Sequence, residues 1–153
     1  MNTVSTEAKI RELTAGFVLT DDNIAELVRY GNVVRDHLDD PTFEHHIKES
    51  ARDKHRFNTA TKPNYATAQP APAGFEAGDV DQWELNLQSG QLHRDYFRSY
   101  GLIYIRSTET VDDDGTIVRE DTVLNIGEVD YTPTEARAIA KAILAAINAI
   151  DGH

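Results

Sequence analysis

With 26 acidic against 15 basic side chains, this 153-residue chain carries a formal charge of −11, which argues against general attraction to nucleic-acid phosphates or anionic lipid. The absence of cysteine removes disulfides, thiolate metal sites and cysteine nucleophiles. The longest apolar run, near the C-terminus, is broken by Lys141 before it could span a bilayer. A hydrophobic content of 40% at this length fits about one globular domain.

The opening residues, MNTVSTEAKIREL, show no cationic start followed by an apolar block, so a cytoplasmic chain is expected. Ile10, Leu13 and Phe17 predict a short first helix ending near Gly16. Ile24, Leu27, Val28, Gly31, Val34 and Leu38 predict a longer one, with Thr20 or Asp21 as its N-cap. Asp40 and Pro41 then start a third helix, because proline at a first helical position costs no hydrogen bond.

That third helix carries HLDDPTFEHHIKESARDKHRF, with four histidines among closely spaced charges. His45, Glu49 and Asp53 fall at i, i+4 and i+8 on one face, and His46 with Glu49 offers an i, i+3 pair. Imidazole and carboxylate suit zinc, manganese or iron. The His-Glu-x-x-His spacing is absent, however, and one ion cannot bridge three turns at a rise of about 1.5 Å per residue. A solvated helix, a docking surface and a metal site all stay open, with His45, His46 and Glu49 as the metal candidates; neither metal nor cofactor is expected. Lys48, Arg52, Lys54, Arg56 and Lys62 face only Glu49 and Asp53, a small basic island in an acidic chain.

Residues 58–80 hold three of the five prolines and no sustained apolar period. They read as a linker, or as a strap pinned by Tyr65 and Phe75. After them the period becomes two. Trp83, Leu85 and Leu87 mark a first strand; LHRDYFRSY, LIYIRSTETV and TIVREDTVLNI follow, with Asp114-Gly115 as a short-hairpin signal. Arg94, Tyr96, Arg98 and Tyr100 share one side of their strand, and Tyr104 and Arg106 are expected to continue that surface on the next. Arginine and tyrosine are the residue types enriched in interface hot spots, so these six form the candidate binding surface.

The chain closes on YTPTEARAIAKAILAAINAI, where Thr132 and Glu135 spell a capping box around Pro133. Its apolar surface is wide, which predicts burial on more than one side, against the sheet and against the N-terminal helices or a second copy. Strands opening on Trp-x-Leu-x-Leu and ending in such a Thr-Pro-x-Glu-Ala-Arg helix resemble a type of small protein common in actinobacteria and their bacteriophages. The resemblance covers about residues 81–151, rests mainly on YTPTEARAIAKAI, and carries no catalytic motif to transfer.

Two local motifs dissolve on inspection. His93-Arg94-Asp95 copies the opening of a kinase catalytic loop without its glycine-rich loop or Asp-Phe-Gly. Asp112, Asp114 and Gly115 fit part of a calcium loop, but its last ligand would be Asp121 instead of a glutamate. The expected fold is α+β, a short antiparallel sheet of about four strands packed against a C-terminal helix with two or three N-terminal helices. Residues 1–57 would be helical, 58–80 linker or strap, and 81–153 sheet plus helix, together one folded unit. The expected function is that of a small, acidic, non-enzymatic cytoplasmic module, of a kind phages carry, that binds a partner protein. The alternatives are an acidic nucleic-acid mimic, a protein self-associating as a homodimer through the C-terminal helix and, behind these, a metal-dependent enzyme.

Overall fold

The computed structural model describes residues 5–152; residues 1–4, on which the export expectation partly rests, and residue 153 lie outside. The α+β architecture is the expected one, with four helices and a six-stranded antiparallel sheet. The chain divides into two compact units. One runs to Ala60 and includes Leu85–Gly90; the other comprises Thr61–Glu84 and the chain from Gln91 onward.

The first unit is built on α1 (Thr6–Leu13), α2 (Asp21–Val34) and α3 (Asp40–Thr59). Each starts on a side chain that accepts a free backbone N–H: Ser5, Thr20 and Asp39 respectively. Ile10, Leu27, Phe43, Ile47 and Ala51 bury one apolar stripe from each helix in a common core, as the helical spacing predicts. Gly31 lets α1 and α3 close on α2: a Cβ there would stand 3.0 Å from Ile10 Cδ1 and 3.1 Å from Thr6 Cγ2. The α1–α2 loop is tied down by polar contacts. His55 Nδ1 accepts from the Val18 N–H at 2.9 Å, and Asn58 Nδ2 donates to the Val18 carbonyl and to Asn23 Oδ1.

The cap of α3 carries an expected acid sensitivity. Hydrogen bonds from the Thr42 side chain and backbone hold the Asp39 carboxyl below the ordinary aspartate value. A group whose folded pKa is depressed stabilises the fold above its unfolded value, and that stabilisation is lost as pH falls through the folded one. Asp39→Asn, which keeps an acceptor at the cap, is therefore expected to flatten the fall in urea midpoint below about pH 4, near the aspartate value in unfolded chains. An unchanged slope would mean that Asp39 does not drive the acid loss. Asp114, lowered by the Thr116 backbone N–H, adds a sensitivity of the same sign in the second unit.

The sheet of the second unit runs β1 (Glu84–Leu85), β2 (Leu92–Tyr100), β3 (Ile103–Val111), β5 (Val123–Ile126), β6 (Val129–Tyr131), with β4 (Ile117–Arg119) also on β3. The chain crosses between the units within β1. Six strands stand where four were expected, and the sheet differs from the expectation in three ways. The first strand shrinks to two residues, with Leu87 left 55% exposed. The fourth splits, because the β3–β4 and β3–β5 registers differ by one residue, a bulge that places three residues of one strand against two of the other. Gly127 and Glu128, both at positive φ, then turn the chain into β6. The Asp114-Gly115 hairpin is also longer than expected: Asp112 and Thr116 close it, and only Gly115 takes positive φ.

Residues 61–80 are a strap, laid on the sheet face that carries Tyr96, Ser107 and Glu109. Asn64 N–H donates to the Gly115 carbonyl at 2.8 Å, and Thr67 Oγ1 accepts from Ile117 N–H at 2.9 Å. Tyr65 Oη accepts from Trp83 Nε1, and Phe75 packs on Tyr96 with ring centroids 5.7 Å apart. Gly74, at φ +93°, sits where a Cβ would be 3.1 Å from Ile105 Cδ1. The two aromatics that the sequence marks, Tyr65 and Phe75, are among its side-chain pins, beside Thr67.

Candidate functional site

The six-residue arginine–tyrosine surface does not exist as one patch. β2 and β3 are joined by the two-residue turn Gly101-Leu102, so that Tyr100 pairs with Ile103 and Arg98 with Ile105. Side chains of paired residues share a face, which puts even-numbered residues of β2 with odd-numbered residues of β3. Tyr104 and Arg106 therefore lie on the opposite face, against Ser99 and Phe97. Tyr104 stacks on Phe97 at 4.7 Å between centroids, and Arg106 pairs with Asp130 at 2.7 Å.

Of the four residues on the strap side, Arg98 and Tyr100 are the more exposed. Arg98 lies 3.7 Å from carboxylate oxygens of both Glu76 and Asp79 on the strap, and Tyr100 is 56% exposed. Tyr96 is buried, and Arg94 is committed to an internal ion cluster. Glu109, 1% exposed, accepts from Arg94 at 2.8 Å and from Arg119 at 2.7 Å. Arg94 lies over the Trp83 ring at 4.5 Å, and Arg119 over Tyr96 at 5.4 Å. Both oxygens of Glu109 are occupied, so the cluster stabilises the sheet and offers nothing to a ligand. Sequence reasoning missed it, although a signal was present: Glu109 stands in the apolar alternation of Ile103, Ile105 and Val111, where a lone carboxylate demands partners.

On α3, His45 and His46 turn their rings edge to face against one another at 5.9 Å, and Glu49 pairs with Arg52. His46, Glu49, Asp53 and Lys54 of α3 border a groove of about 380 Å³ with Glu26 of α2, where Lys54 and Glu26 pair at 2.6 Å. Among the described residues no three histidine, aspartate or glutamate side chains are grouped to hold a metal ion.

The remaining candidate is α4 (Pro133–Asp151). It is defined at both ends, by the Thr132/Glu135 capping box and by Gly152 in the left-handed conformation. Yet no α4 residue is buried, against the expectation of burial on two sides. The helix rests on β5 and β6 through Ala136 and Ile139, the two α4 residues that are only partly exposed. Its later turns leave Ile143, Leu144, Ile147 and Ile150 between 46% and 83% exposed. Between helix and sheet an open cleft of about 390 Å³ is lined by Ile103, Leu124, Ile126, Ile139 and Ile143, with Arg137 as its charged residue. The error has a plain cause: the breadth of the apolar face shows how much surface asks for cover, whereas one chain supplies cover only as far as its sheet extends.

No helix among the described residues is long and apolar enough to cross a membrane. Comparison with protein-family models, with curated proteins and with solved structures gives no match.

Proposed function

We propose that this protein is a small accessory module that binds a partner protein through the exposed apolar side of α4 and the adjoining cleft. The observation that carries the reading is the cluster of Ile143, Leu144, Ile147 and Ile150, four large aliphatic side chains exposed on a helix capped at both ends. Contiguous apolar surface of this kind marks interaction sites, whereas single exposed apolar residues need no explanation. The sheet arginines support the same surface by elimination, since Arg94, Arg98, Arg106 and Arg119 are all engaged with carboxylates of the chain itself. The resemblance of residues 81–151 to small actinobacterial and phage proteins agrees with an accessory, non-catalytic role. A cytoplasmic place of action is part of the proposal, with the cysteine-free composition as its support.

A photo-crosslinking side chain at position 144, introduced in the producing cells, tests this. We expect a discrete protein adduct at 144, and only background at Val33, an equally solvent-facing position at 71% exposure on α2. Equal labelling at both positions, or none at 144, would refute the docking surface.

A further inference from the structure

We infer that the partner of α4 is a second copy of this chain, with the two α4 helices packed antiparallel about Leu144. The inference rests on the docking surface just proposed and names its occupant. Arg137, Ala140, Leu144, Ile147 and Asp151 follow one another at spacings of three, four, three and four, the repeat that lays one seam of side chains along a helix for pairing with another. The seam is apolar in the middle, cationic at its start and anionic at its end. An antiparallel two-fold pair sets the Arg137 end of each helix against the Asp151 end of the other, so the surface complements itself, as an isologous interface must. A parallel pair would instead set like charge against like.

Two further features of α4 favour this occupant. Among the described residues, Arg137 and Asp151 make no ion pair, and α4 as a whole is charge-neutral, with Glu135, Arg137, Lys141 and Asp151. This is one surface on which two chains of net charge −11 can approach without opposing fields. Asp151 also stands at its helix C-terminus, where the helix dipole disfavours an anion; a cation from the second copy offsets that. Because a stable interface takes about 800 Å² from each partner, more than one seam of a five-turn helix offers, Ile143 and Ile150 beside the seam and the cleft wall of Leu124 and Ile126 are covered in the same association.

Sedimentation equilibrium of the full chain, from micromolar to near-millimolar concentration, is the test. Supporting results are a species of twice the 17.1 kDa chain mass, its loss in Leu144→Glu with an unchanged circular dichroism spectrum, a several-fold weaker dimer in Arg137→Glu, and recovery in Arg137→Glu/Asp151→Arg. Leu144 is 59% exposed in the single chain, so glutamate there does not threaten the monomer fold. A monomer at every concentration would refute the second copy; a heterologous adduct from position 144 would then keep the docking surface alive. A dimer that survives Leu144→Glu would refute α4 as its interface. A dimer lost in Leu144→Glu but indifferent to the charge reversals would refute the antiparallel arrangement.

Discussion

Glu109→Ala is expected to lower the stability of the sheet unit by about 3–5 kcal/mol, because it strands two guanidinium groups in a site built around one carboxylate. Glu109 is 1% exposed at its side chain, and Arg94 and Arg119 are 15% and 13% exposed, so water cannot readily replace the lost partner. Since an ordinary domain is stable by only about 5–15 kcal/mol, this is a large fraction. Urea unfolding followed by tryptophan fluorescence reads it directly, as Trp83 is the single tryptophan and lies against Arg94. Glu109→Gln keeps an acceptor and is expected to lose less. Replacing the triad together, by Arg94→Met, Glu109→Leu and Arg119→Met, should recover most of the loss, since a packed apolar cluster needs no charge compensation. A drop below about 1 kcal/mol in Glu109→Ala, the range of exposed pairs, would show that water reaches the site after all.

The same cluster shows where the sequence was legible and where it was not. Helix caps are local chemistry, and Thr20, Pro41 and the Thr132/Glu135 box can be read from a few neighbouring residues. Strand faces are not local. Alternation places Arg94, Tyr96, Arg98 and Tyr100 together, but whether Tyr104 joins them depends on the parity of the β2–β3 turn. A turn of two residues gives the opposite answer from one of three. Burial on α4 depended on something further away still, the extent of sheet available to cover it. The strap shows a third kind of limit: Tyr65 and Phe75 stand out in a proline-rich segment, yet their partners Trp83 and Tyr96 lie 18 and 21 positions along the chain.

In the helical unit, Ile47→Ala is expected to cost about 2–5 kcal/mol, the range for deleting a large aliphatic side chain from a packed core. Ile47 is 0% exposed among Ile10, Leu27, Phe43 and Ala51, so the neighbours have little room to close over the void. Far-UV circular dichroism is the suitable probe, because α1, α2 and α3 contribute 8, 14 and 20 helical residues against 19 from α4. At about 4–8 °C per kcal/mol for a unit of this size, the melting midpoint should fall by roughly 10 °C or more. Gly31→Ala sets two effects against each other at the same core. Alanine inside a helix gains about 1 kcal/mol over glycine, but its Cβ would press on the terminal methyl of Ile10, a residue 0% exposed with nowhere to retreat. Overpacking costs typically about 1–3 kcal/mol, so the clash should win and Gly31→Ala should melt below the wild type yet above Ile47→Ala. A Gly31→Ala protein more stable than wild type would show that Ile10 and Thr6 can yield, and that α1 is held less firmly than its contacts with α2 and α3 imply.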